Sequence, residues 1–244
     1  MRNILLTISY CGTAYHGWQI QENANTVQSE IQNACIKIFG SCPDIKGCSR
    51  TDTGVHARMF CLNFHKASNI RTEKIPDAFN HFLPSDIAVY NAKEVSEDFH
   101  ARYSCKGKEY EYLILNSRYP NPFLENRAFR YSQHLDENLL DKAARGFCGT
   151  YDFRTFCSSG TSVNDFVRTI YSANVTRDGD IVKFNVSGNG FLYNMVRIMA
   201  GTLIYVNEGK ILCDDIPKII NSLDRKKAGI TLAPEGLYLN KVFY

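Results

Sequence analysis

The chain has 244 residues, of which 44% are apolar and 22% charged, so it can form one large domain or two of about 120 residues each. Seven prolines and the absence of low-complexity stretches exclude a fibrous or largely disordered protein. The net charge of +3, from 28 basic and 25 acidic residues, does not by itself indicate a nucleic-acid-binding protein. No apolar run approaches the roughly 20 residues that span a membrane, and the first residues lack a signal-peptide core, so we expect a soluble, cytoplasmic protein.

The first half of the chain alternates between strand and helix patterns. NILLTISY predicts a strand at residues 3–10, because its apolar residues alternate. TVQSEIQNACIKIFG predicts a helix, because its apolar positions share one helical face, with Thr26 as the N-cap and Gly40 as the stop signal. Further elements of this half are predicted strands at 61–65 and 87–95 and a predicted helix at 72–82.

From residue 108 the pattern starts again in roughly the same order, although we find no sequence identity between the halves. The predicted elements are strands at 108–116, 168–177 and 180–188, helices at 135–147, 190–206 and 213–223, and a closing strand at 236–244. We therefore predict an α+β protein of two domains, residues 1–103 and 104–244, each a sheet covered by helices.

A short stretch, GCSRTDTGVHA at residues 47–57, places a carboxylate among turn-forming residues. One interpretation is an ordinary turn, in which Asp52 bonds its own backbone and Gly54 takes a positive φ. A second is the catalytic turn of an aspartic protease, which requires two such carboxylates sharing a proton. No second D-T-G or D-S-G occurs in the sequence, so that interpretation would need a homodimer with one aspartate from each chain.

A third interpretation takes in the rest of the chain. RTDTGVHA resembles the signature of the tRNA pseudouridine synthase A family, whose usual form is close to G-R-T-D-A-G-V-H-A. Five more segments resemble family motifs in family order, from residue 47 to residue 239 overall: FHARYSCKGKEYEY, GTYDFRTF, VRTI, GFLYNMVR and APEGLYL. The resemblance implies two pseudo-symmetric halves, each a mainly antiparallel sheet with helices on one face, and a catalytic cleft between them.

The family isomerises uridine to pseudouridine in RNA, and the resemblance implies three catalytic residues. Asp52 stands at the signature aspartate and is implied as the nucleophile, a role that suits a carboxylate ionised at neutral pH. Arg197 ends the F-x-Y-x-M-V-R motif and is implied as its cationic partner; on the predicted helix it shares a face with Tyr193. Tyr110 is implied as the aromatic wall for a flipped uracil and as an aid to proton transfer, whereas Tyr112 is predicted to be core.

Several basic residues near the motifs are candidates for binding RNA. Arg50 matches the family's arginine that helps displace the target base and contacts the RNA backbone. His56 is a further candidate for a phosphate contact, but capping or packing of the turn explains it equally well, so it stays outside the catalytic set. Four flanking residues are candidates for a basic groove: Arg58, Arg102, Lys106 and Lys108.

The sequence predicts no cofactor and no metal. It contains no P-loop, no G-x-G-x-x-G fingerprint after a strand and no metal-ligand spacing, and its nine cysteines include no C-x-x-C pair. An internal rearrangement needs neither a redox cofactor nor ATP. Three departures from the usual family residues, Cys48, Ser49 and Thr53, leave the loop geometry and the choice of target open. A fourth, Glu111, stands where the family often has arginine and is expected to weaken one RNA contact.

The resemblance also implies a substrate and a partner. The family's usual targets are uridines 38, 39 and 40 in the anticodon stem-loop of tRNA, and its members act as homodimers. The chain is thus expected to be a tRNA pseudouridine(38–40) synthase, an intramolecular transferase. Two alternatives stay open, a pseudouridine synthase for another RNA position and a catalytically silent protein that binds or chaperones tRNA.

Overall fold

A computed structural model of the chain describes residues 1–160 and 163–244. The strands in these ranges are β1 (Arg2–Tyr10), β2 (Lys46–Gly47), β3 (His56–Lys66), β4 (Ile87–Val95), β5 (Gly107–Asn116), β6 (Phe129–Tyr131), β7 (Gly149–Asp152), β8 (Val167–Asp178), β9 (Ile181–Gly188) and β10 (Leu237–Phe243). The α-helices are α1 (Val27–Phe39), α2 (Ile75–Phe82), α3 (Glu137–Arg145), α4 (Met195–Asn207) and α5 (Ile216–Asn221).

The described residues form two compact units, each with its own part of the β-structure. The first comprises Met1–Lys106 and Leu239–Tyr244, and the second Gly107–Tyr238. The sheet of the first has the strand order β4-β1-β3-β10, with β2 beside β3. The sheet of the second has the order β5-β9-β8-β7, with the short strand β6 parallel to β5. The predicted α+β class, with mainly antiparallel sheets, is confirmed.

Helices cover one face of the first sheet. Alternate residues of β1 and β3 that are paired across the sheet fill this face, namely Ile4 with Phe64, Leu6 with Leu62, and Ile8 with Phe60. Phe39, at the end of α1, contacts the rings of Phe64 and Phe79 at centroid distances of 5.9 and 6.1 Å. Since Phe79 belongs to α2, both helices pack on the same apolar face.

Helix α1 begins and ends at the residues that the sequence predicts. Thr26 and Ser29 form a capping box, in which each side chain accepts a hydrogen bond from the other residue's backbone N–H. Gly40 ends the helix with a φ of 74°, in the left-handed region.

The second sheet is packed on both faces. On one face Phe184 of β9 lies opposite Tyr112 of β5 and Val175 of β8, and Phe147, just after α3, contacts its ring at 6.4 Å. The other face of β5 carries Leu113 and Leu115. The residues that pack there form a separate cluster with Ala128, Leu124, Ile181 and Tyr238.

Helix α4 begins later than its sequence predicts. The apolar pattern runs from residue 190, but the helix starts at Met195, because Asn194 has a φ of 60° and breaks the right-handed path. Tyr193 therefore precedes the helix, and the prediction that it shares a helical face with Arg197 is wrong. The three short strands β2, β6 and β7 were not predicted. No helix of the described ranges is long and apolar enough to cross a membrane.

Candidate active site

The signature aspartate opens a tight turn between β2 and β3. Asp52 is half-buried, and its backbone carbonyl accepts a hydrogen bond from the N–H of Val55 at 3.1 Å. Gly54 takes a φ of 78° within this turn, a conformation that favours glycine. The turn expected for Asp-Thr-Gly is therefore present, and it leaves residue 52 partly open to solvent.

Hydrogen bonds fix this turn to the segment that follows β1. The carbonyl of Thr51 accepts from the backbone N–H of Trp18 at 3.1 Å, and the N–H of Gly54 donates to the carbonyl of Tyr15 at 3.2 Å. The hydroxyls of Tyr10 and Thr51 are hydrogen-bonded at 2.8 Å in a buried position. The backbone beside Asp52 is thus held on both sides of the carboxylate.

Two glycines allow this close approach. A Cβ at Gly17 would lie 2.3 Å from the carbonyl oxygen of Thr51, and Gly17 also has a φ of 86°. A Cβ at Gly12 would lie 2.0 Å from the carbonyl oxygen of Val55. Any other residue at either position would push the signature turn away from its support.

His56 supports the turn from within. It is 1% exposed, and its Nδ1 accepts a hydrogen bond from the backbone N–H of Gly12 at 2.9 Å. A ring nitrogen that accepts carries no proton, so a neutral His56 has its proton on Nε2. This packing role was one of the two interpretations that the sequence left open for His56.

The three departures from the usual family residues in the signature loop differ in burial. Cys48 is fully buried, and its N–H donates to the carbonyl of Cys61 at 2.8 Å. Ser49 is half-buried, whereas Thr53 is exposed. The Cys48 change therefore alters packing beneath the loop, and the Thr53 change alters only its outer surface.

The predicted RNA-binding cations are mostly exposed. Arg50 is exposed two residues before Asp52. Lys108 is half-buried at the start of β5, two residues before Tyr110. The other candidates are exposed residues of the first unit, Arg58, Arg102 and Lys106.

Tyr110 and Tyr112 lie on one face of β5, as predicted, but their surroundings differ. Tyr110 is 7% exposed and meets the ring of Phe191 edge-on, at a centroid distance of 5.0 Å and an angle of 78°. Tyr112 is fully buried, and its hydroxyl donates to the carbonyl of Ala233 at 2.7 Å. The prediction that Tyr112 belongs to the core is confirmed.

The electrostatics of Tyr112 agree with this role. Burial raises the pKa of its phenol well above the ordinary value, the Glu235 carboxylate raises it further, and the nearby Arg197 guanidinium opposes the rise. Tyr112 therefore remains a neutral hydrogen-bond donor at physiological pH.

Arg197 is the third residue of α4, and its guanidinium is held by two neutral acceptors of the second unit. Nε donates to the carbonyl of Leu232 at 2.6 Å, and Nη1 donates to Oδ1 of Asn194 at 2.8 Å. Among the described residues Nη2 makes no hydrogen bond, so it can serve a further acceptor. The neighbours predicted to pack inside are buried, namely Met195, Ile198 and Met199.

Several residues that shape these positions were not singled out from the sequence. Residues 12–18 support the signature turn, Phe191 contacts Tyr110, and Asn194 contacts Arg197. The string GTAYHGWQ, with two glycines among aromatic residues directly after a strand, is the signal that could have indicated the first group.

Comparison with known proteins identifies the family. The sequence profile of a family described as "tRNA pseudouridine synthase" matches residues 6–104 and 143–244. Proteins named "tRNA pseudouridine synthase A" from Acetivibrio thermocellus and Thermoanaerobacter sp. are 50% and 47% identical over 244 residues, covering all of both chains. "tRNA pseudouridine synthase A 2" from Clostridium perfringens is 45% identical with the same coverage.

The similarity of this chain to solved structures is much weaker. A chain of the "Cbf5-Nop10-Gar1 Complex" aligns with 97% of this chain and 48% of its own length, at 12% identity and a TM-score of 0.40, too low to support a comparison of function.

With matches in both units and relatives aligned from end to end, the chain belongs to the tRNA pseudouridine synthase family, whose members are isomerases acting on tRNA. The aspartic protease interpretation of the D-T-G turn is superseded. Within the described ranges, no group of three or more His, Cys, Asp or Glu side chains is arranged to hold a metal ion.

Proposed function

We propose that this protein converts uridine to pseudouridine in the anticodon stem-loop of tRNA, at positions 38, 39 and 40, with Asp52 as the nucleophile. The observation that carries the proposal is the family match across both units, together with a half-buried carboxylate at the position of the signature aspartate. Relatives named tRNA pseudouridine synthase A align with every residue of the chain.

The reaction is an internal rearrangement. The N1–C1′ glycosidic bond breaks, the uracil turns, and C5 bonds to C1′, while the hydrogen of C5 is lost and N1 gains one. Asp52 attacks either the ribose or the uracil ring and is later released, so it needs to be ionised and held in one position. The hydrogen bonds of Thr51 and Gly54 to residues 15–18 support such a fixed position.

The remaining roles follow the chemistry of each side chain. Tyr110 offers an aromatic surface that replaces the stacking lost by a flipped uracil, and its phenol assists proton transfer at C5. Arg197 supplies a permanent positive charge for the carboxylate or the developing negative charge on the uracil. Arg50, Arg58 and Lys108 bind the RNA, with Arg50 next to the displaced base.

Mapping of the product tests the choice of target. Unmodified transcripts of several tRNAs would be incubated with the protein, and pseudouridine located by carbodiimide labelling and primer extension. Matched transcripts would carry cytidine in place of each uridine in turn at positions 38, 39 and 40. We expect modification only at those positions and its loss in the corresponding cytidine transcript. Pseudouridine formed elsewhere, with none at these positions, would contradict the proposed target.

The assembly and the cellular location are proposals of the same kind. The family resemblance supports a homodimer that works in the cytoplasm. Gel filtration with light scattering measures the mass directly, and a monomer at all concentrations would contradict the homodimer.

A further inference from the structure

A residue with an unusual backbone conformation precedes α4. Asn194 has φ 60° and ψ 9°, in the left-handed region that side chains other than Gly, Asn and Asp rarely adopt. Among the described residues only two others besides glycine share a positive φ, Asn126 and Leu223. This sparsely populated conformation lies beside a residue for which we propose a catalytic role.

Asn194 does not use its side chain in the way its position favours. Asparagine is among the preferred N-cap residues, because its side-chain oxygen normally accepts a backbone N–H of the first helical turn. At the start of α4, Asn194 makes no such bond. Its Oδ1 instead accepts from Nη1 of Arg197 at 2.8 Å, and its Nδ2 donates to Oγ of Ser158 at 3.0 Å.

These bonds fix the amide and, through it, the guanidinium. The backbone N–H of Ser158 donates to the carbonyl of Tyr193 at 3.1 Å, so the group that holds the amide is itself tied to the adjacent backbone. The guanidinium is planar, and Nε and Nη1 are bound to two separate acceptors. Two such bonds define its plane and therefore the direction in which Nη2 points.

We propose that Asn194 is a positioning residue for the isomerisation, which sets the plane of the Arg197 guanidinium before substrate binds. The proposal rests on the proposed function, since it presupposes that Arg197 acts in the reaction. Asn194 makes no capping bond and has a left-handed backbone conformation, and its amide orients a cation instead. The start of α4 is therefore less stable than a capped helix start, while the Arg197 guanidinium is held in one orientation.

The test replaces Asn194 with glycine. Asn194→Gly removes the amide and tolerates the left-handed backbone, so the variant should fold, with a Tm only modestly below that of the parent because two side-chain hydrogen bonds are lost. Turnover of tRNA tritiated at uracil C5 should fall about tenfold or more in kcat, with KM changed less than about threefold, because misdirection of a reacting group costs rate rather than binding. Ser158→Ala, which removes only the bond that holds the amide, should lower kcat about two- to fivefold.

A double substitution distinguishes action through Arg197 from a separate effect. In an Arg197→Lys background, the guanidinium that Asn194 orients is absent. Asn194→Gly should therefore have little further effect on kcat in that background, a non-additivity that a purely structural role for Asn194 would not produce.

The outcomes separate this proposal from the function on which it rests. Lower kcat in Asn194→Gly that stays folded at the assay temperature, with no added loss beside Arg197→Lys, would support it. Parent-like kcat in Asn194→Gly and Ser158→Ala, while Arg197→Lys is slow, would overturn it alone. If Asn194→Gly fails to fold, Ser158→Ala decides: an unchanged kcat counts against the proposal and a lowered one for it. A parent protein that releases no tritium would overturn the proposed function and this inference together.

Discussion

Two tyrosines, Tyr110 and Tyr112, lie two positions apart on the same face of β5 and differ in role. The Tyr112 hydroxyl is committed to the Ala233 carbonyl inside the core, whereas Tyr110 presents its ring edge-on to Phe191 at the margin of the same face. Because both are tyrosines on one strand, each serves as a control for the other.

Removal of the two hydroxyls should therefore have opposite consequences. Tyr112→Phe leaves a carbonyl without its donor and should lower the free energy of unfolding by about 1–2 kcal/mol, with kcat within about threefold of the parent. Tyr110→Phe should lower kcat about 100-fold or more if its phenol assists proton transfer. Urea unfolding and tritium release measure the two quantities, and a larger loss of turnover in Tyr112→Phe would reverse the assignment.

Sequence alone could predict single residues only where local chemistry determines their role. Tyr112 was predicted to be core as an aromatic residue of a predicted strand, and it is fully buried. The contact of Asn194 with Arg197 was not predicted, because the sequence indicated a continuous helix through both residues. The apolar pattern continues through residue 194, so the pattern does not indicate the left-handed conformation of that residue.

At the scale of elements, the signature turn depends on a segment that lies more than thirty residues earlier in the chain. Gly12 and Gly17 let residues 12–18 approach the backbone of residues 51–55 within hydrogen-bond distance. The catalytic carboxylate that we propose is therefore positioned by a contact between two loops.

Replacing Gly17 with alanine should test whether the signature turn depends on this contact. Gly17→Ala introduces both a left-handed alanine and a clash with Thr51, and should cost about 2–4 kcal/mol in the free energy of unfolding, with a loss of kcat. Gly40→Ala is the matched control, because Gly40 also has a positive φ but no atom lies within 4 Å of its Cβ position. We expect it to cost about 1 kcal/mol and to leave kcat unchanged. Equal effects of the two substitutions on stability and turnover would contradict the proposed support.

The ends of elements were predictable where a capping residue marks them. Thr26 and Gly40 delimit α1 because each satisfies groups that a helix end leaves open. The short strands β2, β6 and β7 have two to four residues, too few to establish an alternating pattern. They form because a longer strand beside them offers its backbone groups, which is tertiary information.

At the scale of the whole molecule, the last residues of the chain return to the first unit. Leu239–Tyr244 belong with Met1–Lys106, and β10 follows β3 in the strand order of that sheet. A strand pattern near the C-terminus was evident in the sequence, but its partner was not, because pairing over such a distance depends on the fold of everything between. The family motifs, by contrast, extend along nearly the whole chain and can be read without knowledge of strand pairing. The sequence therefore predicted the function in more detail than the strand order.

Release of tritium from tRNA labelled at uracil C5, by the parent protein and by Asp52→Asn without added cofactor, tests the central claim most directly. The amide keeps the shape of the side chain and one acceptor oxygen but removes its nucleophilic charge. We predict release by the parent alone, with tRNA binding retained in the variant. Release by Asp52→Asn at the parent's rate would contradict Asp52 as the nucleophile, and no release by either protein would contradict the proposed reaction.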